Sequence, residues 1–122
     1  MKFKAEVTEV TKEDLVSILS GFYSYSGYWV ELLDWHADRY IEVKESLEDP
    51  AFEEVLTELL ERGDWLKITD EDDVRVLYKE DIKKGIQLAL DNNSISLDPD
   101  DWDAADHDMI IQYALFGEVL YG

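Results

Sequence analysis

Pro50-Ala51-Phe52-Glu53-Glu54-Val55-Leu56-Thr57-Glu58-Leu59-Leu60-Glu61-Arg62-Gly63 is the stretch that decides the architecture. Phe52, Val55, Leu56, Leu59 and Leu60 recur at helical spacing and form one apolar stripe, while Glu53, Glu54, Glu58 and Glu61 face away. Pro50 near the start and Gly63 just past the end are the boundaries a helix prefers. Immediately afterwards the pattern changes. Residues 65–69 and 74–78 read as two strands, joined through Asp70-Glu71-Asp72-Asp73 as a four-residue hairpin loop. An amphipathic helix feeding a hairpin predicts helices packed on an antiparallel sheet.

Upstream, residues 2–10 alternate, with Phe3, Ala5 and Val7 on one face and Lys4, Glu6 and Thr8 on the other, which predicts a half-buried strand. Thr11 is the expected N-cap of a helix carried by Leu15, Val16, Leu19 and Phe22, with Glu13 and Asp14 in its first turn. Gly21 and Gly27 bracket its expected exit. Over residues 28–43, Tyr28, Val30 and Leu32 fit a strand, and Tyr40, Ile41 and Val43 a second extended piece. The intervening Leu33, Trp35 and Ala37 also suit a short helix.

Downstream, Ile82, Ile86, Ala89 and Leu90 predict a helix over residues 80–91, where Gly85 implies close approach of a neighbour and Asn92-Asn93-Ser94 ends the element. Residues 98–103 form a loop. Asp103 and Asp106 then read as N-cap and acidic first turn of a last helix that runs to Phe116 and stops at Gly117. Met109, Ile110, Ile111, Ala114, Leu115 and Phe116 leave that helix little polar face, so it belongs in the centre of the core. Residues 119–121 add a short closing strand. The order β-α-β-α-β-β-α-α predicts a single acidic α+β domain over residues 1–122, with a small antiparallel sheet and about four helices.

Composition narrows the function. A chain of 122 residues with 46% apolar residues has enough material for one core. Without cysteine there is no disulfide framework, thiolate nucleophile or zinc-thiolate site. No apolar run is long enough to span a membrane, and the first residues lack the apolar core of a signal peptide, so a cytoplasmic protein is expected. Against 30 Asp and Glu stand 11 Lys and Arg, a net charge of −19. Nucleic acid and anionic membranes are therefore poor direct partners, and a basic protein is a good one. Residues 41–80 carry 14 acids and 5 bases, and residues 81–122 carry 9 and 2, so the negative field belongs to the last two-thirds of the chain.

Signals of catalysis are sparse. His36 lies between Asp34 and Asp38, and His107 between Asp106 and Asp108, yet neither set has a metal-ligand spacing. A metal-dependent enzyme centred on either histidine is the weaker alternative. No serine sits in a nucleophile elbow and no glycine-rich phosphate loop exists, so the expectation is a protein without catalysis or cofactor. The loop from Asp98 resembles an acidic calcium loop only superficially. At the sixth and twelfth positions, where an EF-hand needs Gly and Glu, it has Asp103 and Met109.

Two surfaces are candidates for partner binding. Glu54, Glu58 and Glu61, then Asp70, Asp72 and Asp73, then Asp100, Asp101 and Asp103, are acids with few bases among them. Carboxylates repeated each helical turn lie about 5.4 Å apart along the axis, a spacing comparable to that of backbone phosphates. Such a face can occupy the basic groove of a nucleic-acid-binding protein. The second candidate is aromatic: Phe22, Tyr23, Tyr25, Tyr28, Trp29, Trp35 and Tyr40 crowd a short segment. Tyr23, Tyr25 and Trp29 are the contacts an adaptor protein would use there.

The ending Asp106-His-Asp-Met-Ile-Ile-Gln-Tyr-Ala-Leu-Phe-Gly-Glu-Val-Leu-Tyr-Gly122 resembles that of a family of small acidic proteins encoded in phages and prophages of mainly Gram-positive bacteria. Gly27-Tyr28-Trp29 and Lys84-Gly85-Ile86 sit where that family's patterns sit. Val30-Glu31 departs from it, since cysteine is frequent after the Tyr-Trp pair. The resemblance implies a phage setting and no catalytic assignment. In that setting small acidic proteins block host restriction, CRISPR or DNA-associated proteins. The expectation is a non-enzymatic inhibitor of a nucleic-acid-binding host protein, in the bacterial cytoplasm.

Overall fold

A computed structural model describes residues 6, 7 and 9–122, and its elements follow in the order α1 (Lys12–Tyr25), β1 (Leu32–Trp35), α2 (Ala37–Ser46), α3 (Phe52–Glu61), β2 (Leu66–Thr69), β3 (Val74–Leu77), α4 (Lys79–Asp91) and α5 (Ala104–Phe116). Short 3-10 turns at Ser26–Tyr28 and Pro99–Asp101 precede β1 and α5. This is the α+β class expected from the sequence, with a three-stranded antiparallel sheet in the order β1-β2-β3.

α3 forms because its stripe can be buried all at once. Val55, Leu56, Leu59 and Leu60 are inaccessible or nearly so, and each such side chain contributes on the order of 1.5–3 kcal/mol relative to exposure. Gly63 then takes φ +87, a left-handed conformation that ends the helix and turns the chain into β2. β2 is the central strand. Leu66 and Ile68 point into the core, opposite Leu77 and Arg75 on β3 and opposite Trp35 and Leu33 on β1. The other face carries Leu32, Val74 and Val76, all exposed.

α5 is the central helix, packed against both α1 and α4 with Ile110 and Ile111 fully buried. Gly85 makes the α4 contact possible, since a Cβ there would run into the backbone and side chain of Ile110 and Ala114. α5 begins with Asp103 accepting from the Asp106 N–H at 2.9 Å while Asp106 accepts from the Asp103 N–H at 3.0 Å. It stops at Gly117, φ +75.

Three details differ from the expectation. The strand expected over residues 2–10 falls largely on residues 1–5 and 8, outside the described residues; residues 6, 7, 9 and 10 carry none. The first extended piece lies later, at Leu32–Trp35, and the second, around Tyr40 and Val43, is instead α2. Only Val43 of that helix is buried, so its residues contribute one core contact rather than a strand's alternating face. Gly21 and Gly27 do bracket the end of α1 at Tyr25, and His107 occupies the space a side chain on residue 21 would take. Residues 119–121 form no strand. Their backbone is held instead by the Gln112 side chain, whose Oε1 accepts from the N–H of Leu120 and of Tyr121, both at 2.9 Å.

Candidate functional site

The sequence-predicted acids lie on three separate stretches, α3, the β2–β3 loop and the segment that leads into α5. On α3, Glu54 closes its own helix, its Oε1 accepting from the Ala51 N–H at 3.0 Å. Glu58 is paired with Lys12 and Arg62, each at 3.1 Å, and the Lys12 ammonium followed by the Arg62 guanidinium holds its carboxyl below the usual range. Glu61 meets Lys79 at 2.7 Å. The two acids most aligned along α3 are thus half-buried and already neutralised.

Asp70 is 3% exposed and builds the hairpin loop. Its Oδ1 accepts from the N–H groups of Asp72 and Asp73, and Arg75 approaches its Oδ2 at 3.4 Å. Burial pushes its pKa up, but the Asp73 and Asp72 N–H groups and Arg75 outweigh burial and bring it below the ordinary value. Asp72 and Asp73 remain exposed at the loop tip, and Asp73 Oδ1 accepts from the Val74 N–H.

A further group of acids lies where α1 and the loop before α5 meet. Glu13 and Asp14 from the first turn of α1 line one concavity of about 290 Å³ with Ser17, Pro99, Asp100 and Trp102. An adjoining concavity adds Glu6 and Glu9. Among the described residues, no basic one lines either concavity. The loop is stiff: Asp98 accepts from the Asp100 N–H at 3.0 Å, Ser96 donates to Asp101 at 3.1 Å, and the Trp102 indole donates to the Ser96 carbonyl at 2.8 Å. With Asp103 fixed as the α5 cap, the edge carries exposed Glu13 and Asp100 and half-buried Asp14, and exposed Asp101 follows Asp100 in the chain. Sequence reading finds the 98–103 half of this edge. It does not find Glu13 and Asp14, which read from the sequence as complements of the α1 dipole; their separation of more than eighty residues from Asp100 leaves no local signal.

The aromatic segment divides three ways. Trp29 is 5% exposed, so it is a core residue and not a surface contact. Its ring stacks on Tyr121 at 5.1 Å and meets Phe22 and Phe116 edge-on. Tyr23, 56% exposed, packs on Phe52, which in turn touches Trp35 and Tyr40. Tyr25 stands exposed at the rim, edge-on to Tyr28.

Beneath that rim is a polar cluster that the sequence did not reveal. Asp108, 1% exposed, accepts from the Tyr28 hydroxyl at 2.6 Å, the Trp29 indole at 2.8 Å and the Gln112 amide at 3.0 Å. Gln112 also donates to the Tyr121 carbonyl at 2.9 Å. Burial, then the hydrogen bond to Asp108 and its negative charge, push the Tyr28 phenol well above its ordinary pKa. Every member has a partner within the fold, which marks the cluster as a device for fixing the C-terminal segment.

The histidines occupy separate surroundings. His36 caps α2, its Nδ1 accepting from the Arg39 N–H at 3.3 Å. His107, 8% exposed, lies against Gly21 and Trp102, and burial holds its pKa below the ordinary value even though Asp106 and Asp103 pull it up. Among the described residues, no three His, Cys, Asp or Glu side chains are grouped so as to hold a metal ion. Nor is any helix there long and apolar enough to cross a membrane.

Set against family models, curated proteins and solved structures, the chain matches none.

Proposed function

We propose that this protein is a non-enzymatic, cytoplasmic inhibitor that occupies the basic groove of a nucleic-acid-binding protein, as a phage-encoded mimic of nucleic acid. The observation that carries the reading is the α1–loop edge, where Glu13, Asp14 and Asp100 line one concavity, Asp101 follows Asp100 in the chain, and no cation is among the described lining residues. Carboxylates on stiff supports lose little entropy when they meet a row of Lys and Arg, so an edge of this kind competes well for sites that hold phosphates. The net charge of −19 adds long-range attraction to any basic partner and repels nucleic acid itself. Among the described residues, Lys12, Arg39, Arg62, Arg75 and Lys79 are tied up in ion pairs with acids, which leaves the field strongly one-signed. The resemblance of the C-terminal stretch to small acidic phage proteins agrees with a host defence or DNA-associated protein as target.

The test is capture from nuclease-treated bacterial lysate on the immobilised protein, eluted with a salt gradient. A nucleic-acid-binding protein retained at low salt and released as salt rises is the expected result. The variant Glu13→Gln/Asp14→Asn/Asp100→Asn/Asp101→Asn should fail to retain it. Equal retention by that variant overturns the assignment of the edge.

A further inference from the structure

The free edge of β1 borders a groove built like a site for an extended peptide. β1 pairs with β2 on one side, and among the described residues no strand pairs with it on the other. Alongside that edge, between the C-terminal end of α1 and β1, lies a concavity of about 340 Å³. Phe22, Tyr23, Val30 and Leu33 supply apolar walls, and Gly27 and Glu31 lie at the rim.

We propose that this groove takes an extended segment of a basic partner protein, added to β1 as a fourth strand, with one apolar side chain in the Phe22–Tyr23–Val30–Leu33 pocket and Lys or Arg beside it. Strand addition satisfies the unpaired backbone of an edge strand and reads alternate side chains through pockets next to it. The shape fits that mode. Leu33 points to the core face of the sheet but is only half-buried, whereas its partner in register on β2, Ile68, is covered.

Charge selects among strands. Among the described lining residues Glu31 alone is charged, and the exposed Asp34 of β1 accepts from the Trp35 N–H at 2.8 Å, so the strand and its approach carry negative charge. Negative charge there disfavours acidic strands, including a second copy of this chain at −19, and favours a strand carrying Lys or Arg. The inference rests on the proposed function only for the basic character of the partner.

Gly27 provides the test. A Cβ built on it meets nothing within 4 Å, and its φ is an ordinary one, so Gly27→Trp adds bulk at the groove without a packing conflict. Short random peptides displayed on phage are selected on the wild-type protein, and the enriched sequences are synthesised and titrated into nitrogen-labelled protein. The expected peptides carry an apolar residue flanked by Lys or Arg, shift amides of residues 22–35, and bind Gly27→Trp at least about tenfold more weakly. Methylating alternate peptide amides should abolish binding. No enrichment, equal binding to Gly27→Trp, or shifts centred elsewhere overturn the inference. If the peptide arm fails while the salt-labile capture persists, the groove alone is wrong. If the capture fails while peptides still bind here, the acidic edge alone is wrong.

Discussion

Trp29 and Asp108 are seventy-nine residues apart in the chain and joined at 2.8 Å, indole N–H to carboxylate, in the interior of the fold. The bond ties the turn after α1 to the middle of α5, and Gln112, one turn on, extends it to the C-terminal segment. A buried carboxylate whose neighbours are a phenol, an indole and an amide has only hydrogen bonds to stabilise its charge, so each bond counts for more than a neutral one.

Asp108→Ala should therefore destabilise the protein by about 2–4 kcal/mol, because it removes the shared acceptor of three donors and leaves the buried Trp29 indole N–H without its partner. Tyr28→Phe, which removes one donor and keeps the ring, should cost about 1 kcal/mol. Urea unfolding followed by tryptophan fluorescence measures both. Equal, near-zero effects would show that water replaces the cluster at no cost.

Gly21 and His107 should be coupled. A Cβ at residue 21 collides with the His107 ring, so Gly21→Ala is expected to cost about 1–3 kcal/mol despite alanine's better helix propensity. In a His107→Ala background the collision is gone, and the same substitution should be neutral or stabilising. A double-mutant cycle with no coupling would contradict the close approach of α1 and α5.

The same histidine gives the fold a pH dependence. Burial depresses the folded-state pKa of His107 below the ordinary value of about 6.5, so the unfolded chain takes up the proton first as pH falls. The stability contributed by neutral His107 is complete above about pH 6.5 and is lost as pH falls through the depressed folded value. His107→Gln should flatten that part of the stability curve, measured by urea midpoints from neutral to mildly acid pH. Parallel curves for the two proteins would contradict the assignment.

How much of this was legible in the chain follows from the range of the interactions. The α3 stripe, the hairpin through Asp70–Asp73 and the Asp103–Asp106 cap are local patterns, and each was readable because its periodicity or cap lies within a few residues. α2 was not. Its cap is His36, outside the usual capping set, and Tyr40, Ile41 and Val43 carry β-strand propensity that the surrounding packing overrides. Glu58 and Glu61 sat on the polar side of a helix, and nothing local indicated that Lys12 and Lys79 come to meet them. The acidic edge was half visible, since its α1 component is joined to the 98–103 loop only by the packing of α1 on α5. The Asp108 cluster was hidden inside a helix that otherwise reads as apolar.

The central claim is that the α1–loop edge stands in for phosphates. The most direct measurement is displacement: the nucleic-acid-binding protein captured from lysate is saturated with labelled duplex DNA and titrated with this protein and with the four-acid variant. The account predicts that the wild-type protein releases the DNA in a single competitive curve that shifts to higher concentration as salt rises, while the variant releases little. Release of DNA by both proteins alike, or a ternary complex with DNA still bound, would contradict it.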